Sequence, residues 1–188
     1  MNPNTPLPAA YRLFLVLILS VGLYLRLAEL DGFIHFQGDQ GEFYLAVMRW
    51  IHEGQWPLLG QHRSITGDYT IGPGWFYTIM PALAIGNFNP AAGVFVNTGF
   101  GLLAMMIAFI WMHRISQTAV AAIVITLVMA TSAILIEQDR LLWSPYLFHF
   151  VTLAVALLIS MFGSHPTRYL SIYLMLCMIL PHWHTTGW

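Results

Sequence analysis

Long apolar segments alternate with short polar segments along most of this chain. A helix that crosses a membrane needs about 17–25 predominantly apolar residues. Four segments meet that description and a fifth one begins near the end of the sequence, at residues 13–30, 91–112, 119–136, 146–162 and 169–183. The pattern therefore predicts an all-α fold, a polytopic transmembrane helical bundle.

A long segment between the first two spans, residues 31–90, has a different pattern. Apolar residues recur there at the spacing of one helix face, namely at Phe43, Val47, Trp50 and Ile51. Together with the charged residues beside it, this stripe predicts an amphipathic helix over about 40–53 that lies in the membrane interface. Residues 74–86 are apolar but short and contain Pro81, which favours an interfacial or re-entrant helix over a span. We expect Gly54 to end the first of these two interfacial helices.

The distribution of charge indicates the topology. If residues 74–86 lie flat, Arg12, Arg114 and Arg168 share one side of the membrane, and all eight carboxylates share the other. Short loops that carry arginine are typical of the cytoplasm. The predicted N-terminus, residues 1–12, is then cytoplasmic. The predicted extracytoplasmic segments are residues 31–90, 137–145 and 184–188. If residues 74–86 were counted as a span, every later segment would be assigned to the opposite side of the membrane.

The composition of the chain supports a membrane protein and gives no reason to expect a nucleic acid partner. The chain is 58% hydrophobic and 8% charged, whereas soluble domains average about 25% charged residues. The net charge of -1 gives no reason to expect a nucleic acid partner. Cys177 is the single cysteine, so no intrachain disulfide can form. Because the sequence stops just after the fifth apolar segment, we expect it to be the N-terminal fragment of a longer protein, and we expect activity to require that longer protein rather than this fragment alone.

Polar chemistry is concentrated in the long loop, which holds five of the eight acidic residues between positions 31 and 74. Asp39 and Glu42 form an Asp-x-x-Glu pattern ahead of an apolar stripe, which is typical of a capping box at a helix start. Alternatively, Asp39 is a general base that accepts a proton from an acceptor hydroxyl. The two interpretations are compatible, because a capped carboxylate is also rigidly positioned.

Two further polar groups follow on the predicted outer side. Asp139 and Arg140 end the third span, either as an ordinary polar helix end or with the guanidinium placed to bind a phosphate bidentately. His182 and His184 end the fifth span. At a spacing of two residues they do not share a helix face, so we expect no metal pair, although one of them could reach the site. We expect no cofactor, since the sequence has no phosphate-binding loop, zinc-protease motif or Cys-x-x-Cys pair.

The order of these motifs resembles a known family. Residues 38–44 (GDQGEFY) follow the first span, 72–77 (GPGWFY) and 85–90 (IGNFNP) precede the second, and 138–145 (QDRLLWSP) and 181–184 (PHWH) come later. This order is similar to the N-terminal half of GT-C class polytopic glycosyltransferases. The closest likeness is to the bacterial RgtA/B/C/D-like branch, related to protein mannosyltransferases and aminoarabinose transferases. The resemblance covers nearly the whole chain from Tyr11 onward, although each motif is short.

The resemblance implies an inverting transfer of a sugar from a polyprenyl-phosphate donor to a lipid, glycan or protein acceptor. The reaction would take place at the extracytoplasmic face of the bacterial inner membrane. By resemblance, the catalytic positions are Asp39 and Glu42, and the substrate-binding positions are Asp139, Arg140, His182 and His184. Gln40 stands where that branch usually has Glu, and Gly74 where it commonly has Pro, which leaves the substrate class open.

Two other functions are compatible with the sequence. A non-catalytic membrane remnant or assembly partner would have the same hydrophobic pattern. A lipid or sugar transporter would be expected to carry ionisable residues inside its spans. From Ala91 onward the predicted span interiors carry His149 alone, and Arg26 lies near a helix end, which argues against transport.

Overall fold

The computed structural model of the protein describes residues 8–30, 38–61, 72–143, 148–161, 170–172 and 174. It describes the backbone alone for Gly38, Asp39 and Phe148. No strand occurs in these ranges, so the all-α prediction is confirmed for them. The helices are α1 (Ala9–Leu27), α2 (Gly38–Glu53), α3 (Gly74–Ile85), α4 (Pro90–Ser116), α5 (Ala119–Thr131), α6 (Ala133–Arg140) and α7 (Phe148–Met161).

Two helices are long and apolar enough to cross a membrane. They are α1, with 19 residues, and α4, with 27 residues, and they coincide with the first two predicted spans. Helices α5 and α6 would together make a third span, but they are bent by 57° at Ser132. Helices α3 and α7 are apolar but shorter than a span. The length and composition of these two helices indicate membrane association, and the multi-pass bundle stays a prediction.

The break at Ser132 divides the predicted third span. The Ser132 hydroxyl accepts a hydrogen bond from the amide of Leu135 at 3.5 Å, so it caps a new helix instead of continuing the old one. Helix α6 then runs to Arg140, through positions where the sequence pattern predicted a loop from residue 137. Residues 137–140 are therefore helical, and Asp139 among them is buried between helices rather than placed in a loop.

Helices α2 and α3 pack against one another at the beginning of α4. Gly54 follows α2 with φ of +69°, which confirms the predicted helix end, since glycine adopts this left-handed conformation without strain. Phe43 and Val47 are buried against α3, whereas Ile51, assigned to the same stripe, is 40% exposed. The predicted placement of both helices in the membrane interface is not tested by these contacts.

Helix α4 is the centre of the structure and contacts α1, α3, α5, α6 and α7. Its two ends belong to two hydrophobic clusters. The first cluster joins α2, α3 and the chain after α6 to the start of α4, and consists of Phe43, Tyr44, Val47, Trp75, Phe76, Ile79, Leu83, Ala92 and Leu142. The second joins α1, α4 and α5, and consists of Ile18, Ala104, Met105, Ala108, Met129 and Ala130. Candidate functional residues lie between and beside these clusters.

The remaining predicted spans are described in part. Helix α7 contains 14 residues of the predicted span 146–162 and packs along α4. Of the predicted span 169–183, only residues 170–172 and 174 are described. The loop 184–188 lies outside the described residues, as do residues 1–7 of the predicted cytoplasmic N-terminus.

Candidate functional site

Asp39 lies in the first turn of α2. The described helix already includes Gly38, whereas a cap at Asp39 would place the first helical residue two positions later, at Gln40. A carboxylate in the first turn of a helix is stabilised by the partial positive charge of the unpaired amides there. Glu42, one turn later, is exposed. The catalytic roles assigned to both residues stay predictions.

Tyr44, the last residue of the same motif, anchors α2 to the start of α4. Its hydroxyl donates to the carbonyl oxygen of Pro90 at 2.8 Å and lies 3.3 Å from that of Asn89. Burial raises the pKa of Tyr44 to about 12, and a hydrogen bond with the backbone of Gly93 offsets part of that increase. The phenol therefore stays protonated at neutral pH and can keep donating. The first residues of α2 are thereby held at the level where α4 begins.

The chain that follows α6 reaches the same place. Leu142 is buried in the first cluster, beside Phe43 and Trp75. It lies directly against Gly93 of α4, where a Cβ atom would collide with its side chain. The side-chain amide of Asn97 donates to the carbonyl oxygen of Leu141. Residues 38–44 and residues 138–143, about a hundred positions apart, are therefore joined through one end of α4.

Asp139 is buried, with 1% of its side chain exposed. Its Oδ2 atom accepts a hydrogen bond from Nε of Arg26 at 2.6 Å, and Nε2 of His149 lies 3.3 Å from Oδ1. The carboxylate rests on Gly101 of α4, where a Cβ atom would overlap it. Asp139 thus connects α1, α4, α6 and α7 inside the bundle. Its predicted role as a substrate ligand remains a prediction, and its contacts in this structure are with the protein.

Arg26 has further partners around that carboxylate. Its Nη1 atom donates to the carbonyl oxygens of Gly22 at 3.0 Å and Ala130 at 3.3 Å, and Nη2 donates to that of Met129 at 3.3 Å. Carbonyls in the last turn of a helix have no partner within the helix. Because α5 stops at Thr131, the guanidinium supplies donors at this break. Arg26 therefore links the bend in the α5–α6 pair to α1.

The side chain of Arg140, the last residue of α6, contacts the end of α1. Its Nε atom donates to the carbonyl oxygen of Arg26 at 3.1 Å, and its Nη2 atom donates to that of Ala28. The same side chain lines a cavity of about 420 Å³ with one other charged residue and mainly apolar neighbours. The other lining residues are Leu25, Thr131, Ala133, Ile136, Glu137 and Leu141. The cavity therefore combines a mainly apolar lining with one cation and one acid.

The other predicted site residues are not brought into this arrangement. His182 and His184 lie outside the described residues. Within the described ranges, no group of three or more His, Cys, Asp or Glu side chains is close enough to hold a metal ion. The predicted absence of a metal is not tested by that observation.

Sequence reasoning missed the partners of Asp139. Arg26 was treated as a helix-end residue, and His149 as an isolated group in a span. An ionisable side chain within an apolar segment usually faces the bundle interior and pairs with another. That rule singles out Arg26 and His149 as paired residues, but it does not say with which acid they pair.

No protein-family model, no curated protein and no solved structure matches this chain.

Proposed function

We propose that the protein is a membrane glycosyltransferase that moves a sugar from a polyprenyl-phosphate donor to a hydroxyl acceptor at the extracytoplasmic face. The observation that carries the proposal is the junction at the beginning of α4. There, Tyr44 and Leu142 bring the acidic motif of α2 and the Asp139–Arg140 segment to one end of the bundle. The reaction needs a base and a cation on the same side of the membrane, and this junction supports Asp39 and Arg140 as that pair.

The cavity beside Arg140 suits the donor. Leu25, Ile136 and Leu141 line the cavity and provide an apolar wall for a prenyl chain. Arg140 lines it as the cation for the phosphate, and Glu137 is the single acid of the lining. Arginine presents several donors in a planar fork, which matches the geometry of phosphate oxygens. The Nε and Nη2 atoms of Arg140 donate to the carbonyl oxygens of Arg26 and Ala28. These contacts hold the guanidinium in a fixed position.

In the proposed reaction, one bond forms at the anomeric carbon as another breaks, and Asp39 takes the proton that is released. An acceptor hydroxyl oxygen attacks the anomeric carbon as the bond from that carbon to the phosphate oxygen breaks, and the configuration inverts. The hydroxyl proton passes to Asp39, and the lipid phosphate leaves with the bonding electron pair. Displacement at an anomeric carbon passes through an oxocarbenium-like state. A positioned donor on a departing oxyanion commonly contributes roughly 3–4 kcal/mol.

The test of this proposal is the Asp39→Asn variant of the full-length protein. Asparagine has nearly the same shape as aspartate, and the loss of a first-turn charge costs only about 0.3–1 kcal/mol, so the variant should stay folded with a nearly unchanged melting temperature while losing transfer of radiolabelled sugar from a lipid-phosphate donor. A fall of at least about 100-fold is expected from the loss of a general base. Glu53→Asn, at the other end of α2, is the control and should transfer normally. Near-normal turnover in Asp39→Asn would show that Asp39 is not the general base and would contradict the proposed mechanism.

Transport is the second candidate, because one observation favours it. Arg26 and Asp139 form a buried ion pair between helices, with His149 beside it, as is typical of ion and substrate pathways. Arg26 is, however, the second-last residue of α1, and its Nη donors are engaged with backbone carbonyls at the bend. Uptake of a labelled polyprenyl-phosphate sugar into proteoliposomes, abolished in Asp139→Asn, would support transport. Transfer without uptake would support the enzyme.

A further inference from the structure

A groove of about 400 Å³ runs along α2, and it shares no lining residue with the cavity beside Arg140. It is formed by α2, by Phe76 of α3 and by the chain that follows Gly54. Polar and apolar residues alternate along it. Those used below are Glu42, Leu45, Arg49, Trp56 and Leu59.

Two opposite charges line this groove. Glu42 and Arg49 are both exposed and lie seven residues apart on α2, which is two helical turns. At that spacing their side chains project from the same face of the helix. A ligand that carries a cation and an anion a short distance apart can therefore satisfy both residues together, whereas a purely anionic ligand satisfies Arg49 alone.

An exposed indole borders the same groove and is held in place by other aromatic rings. Trp56 is 65% exposed, and its ring centroid lies 4.7 Å from that of Trp50. Trp50 in turn meets Tyr77 edge-on at 5.1 Å, and the Tyr77 hydroxyl donates to the carbonyl oxygen of Pro57 at 2.8 Å. An ammonium group is attracted to the face of an indole ring. The cation-binding side of the groove thus has a carboxylate and a fixed aromatic face.

Apolar side chains are exposed beside these polar groups. Leu45, Leu58 and Leu59 are 52%, 77% and 62% exposed. Helix α2 also lies at the level of a candidate membrane boundary, because Tyr44 is hydrogen-bonded to Pro90, the first residue of the apolar helix α4. Apolar side chains at that level can contact the upper part of lipid acyl chains.

We propose that this groove binds a zwitterionic phospholipid of the phosphatidylethanolamine type. The phosphate lies against the Arg49 guanidinium, and the ammonium group lies between the Glu42 carboxylate and the Trp56 ring. The acyl chains extend over the exposed leucines. The lipid is a structural ligand of α2, so the inference does not rest on the proposed transfer reaction.

The test measures which lipid the intact protein retains. The protein is incorporated into nanodiscs of equal dioleoyl-phosphatidylethanolamine and dioleoyl-phosphatidylglycerol, and retained lipid is identified by native mass spectrometry. These lipids share their acyl chains and their phosphate. They differ in the headgroup alcohol, which carries an ammonium group in the first lipid and uncharged hydroxyls in the second. The wild-type protein should retain the ethanolamine lipid about fivefold over the glycerol lipid, as one added cationic contact implies. Equal retention of the two lipids by the wild-type protein would overturn the proposal whatever the variants do.

The variants assign the preference to residues. Glu42→Gln should abolish the selectivity without reducing retention of the glycerol lipid, and Arg49→Gln should reduce retention of both lipids. Trp56→Leu keeps an apolar side chain and should lower the selectivity. Glu53→Gln and Arg114→Gln make the same charge changes outside the groove and should behave as wild type. Loss of selectivity in the controls, or its persistence in Glu42→Gln and Trp56→Leu together, would locate the lipid elsewhere and contradict the proposal.

Discussion

The Arg26 guanidinium and the Asp139 carboxylate, 113 positions apart in the sequence, form a buried ion pair with Nε and Oδ2 separated by 2.6 Å. Each side chain is 1% exposed, so neither charge has access to bulk water. The pair joins α1 to α6, and the remaining contacts of Arg26 reach the end of α5. The bend between α5 and α6 is therefore held by a charged contact in an otherwise apolar region.

The first prediction concerns the energy of that pair. Removing one partner leaves an uncompensated buried charge, so Arg26→Met should lower the free energy of unfolding by about 3–5 kcal/mol. The double variant Arg26→Met, Asp139→Leu replaces the pair by apolar side chains and should be less destabilised than Arg26→Met alone. Equilibrium unfolding in mixed micelles measures both. Additive losses in the double variant would mean that the two side chains do not act as a pair.

The second prediction uses two glycines on the same helix. A Cβ atom at Gly101 would overlap the Asp139 carboxylate, whereas one at Gly99 would meet no atom within 4 Å beyond its own turn of helix, in the part of the chain that the structure describes. Gly101→Ala should therefore destabilise the protein by about 1–3 kcal/mol through overpacking. Gly99→Ala should stabilise it by about 0.5–1 kcal/mol, because alanine loses less conformational entropy in a helix. The order of the two melting temperatures is the readout, and the reverse order would contradict the packing of α6 on α4.

The third prediction separates the two roles of Arg140. Lysine keeps the charge but not the planar fork, so Arg140→Lys should weaken binding of a polyprenyl-phosphate sugar, and Arg140→Ala should weaken it more. Both variants also lose contacts to the end of α1, so affinity is compared on folded protein, with Arg114→Ala as the control. Unchanged affinity in both variants, measured by tryptophan fluorescence titration, would exclude Arg140 from the donor site.

The fourth prediction concerns topology. In a Cys177→Ala background, single cysteines at Glu53 and Glu137, both exposed, should react with an impermeant thiol reagent added to intact cells. A cysteine at Arg114 should react only after the membrane is permeabilised, because its short loop is predicted to be cytoplasmic. Position 139 is unsuitable for labelling, since its side chain is buried. Labelling at 114 but not at 137 in intact cells would invert the topology and place the proposed site on the wrong side.

The helical class, the first two candidate spans and the end of α2 at Gly54 follow from the sequence alone. Each depends on local properties, namely the length of an apolar run, the spacing of apolar residues and the freedom of glycine at positive φ. Two of the predicted stripe residues, Phe43 and Val47, are buried for the same reason. These features need no knowledge of which other segment lies nearby.

The tertiary structure decided the partners of the polar residues. Asp139 was expected in an outer loop, yet it is buried, because Arg26 from the first helix and Gly101 from the fourth meet it there. The bend at Ser132 likewise depends on a guanidinium more than a hundred positions away, which supplies donors to the carbonyls at the end of α5. A charge is tolerated in an apolar interior only when a specific partner satisfies it. Because that partner is distant in sequence, local pattern predicts that a partner exists, and only the packing of the helices identifies it.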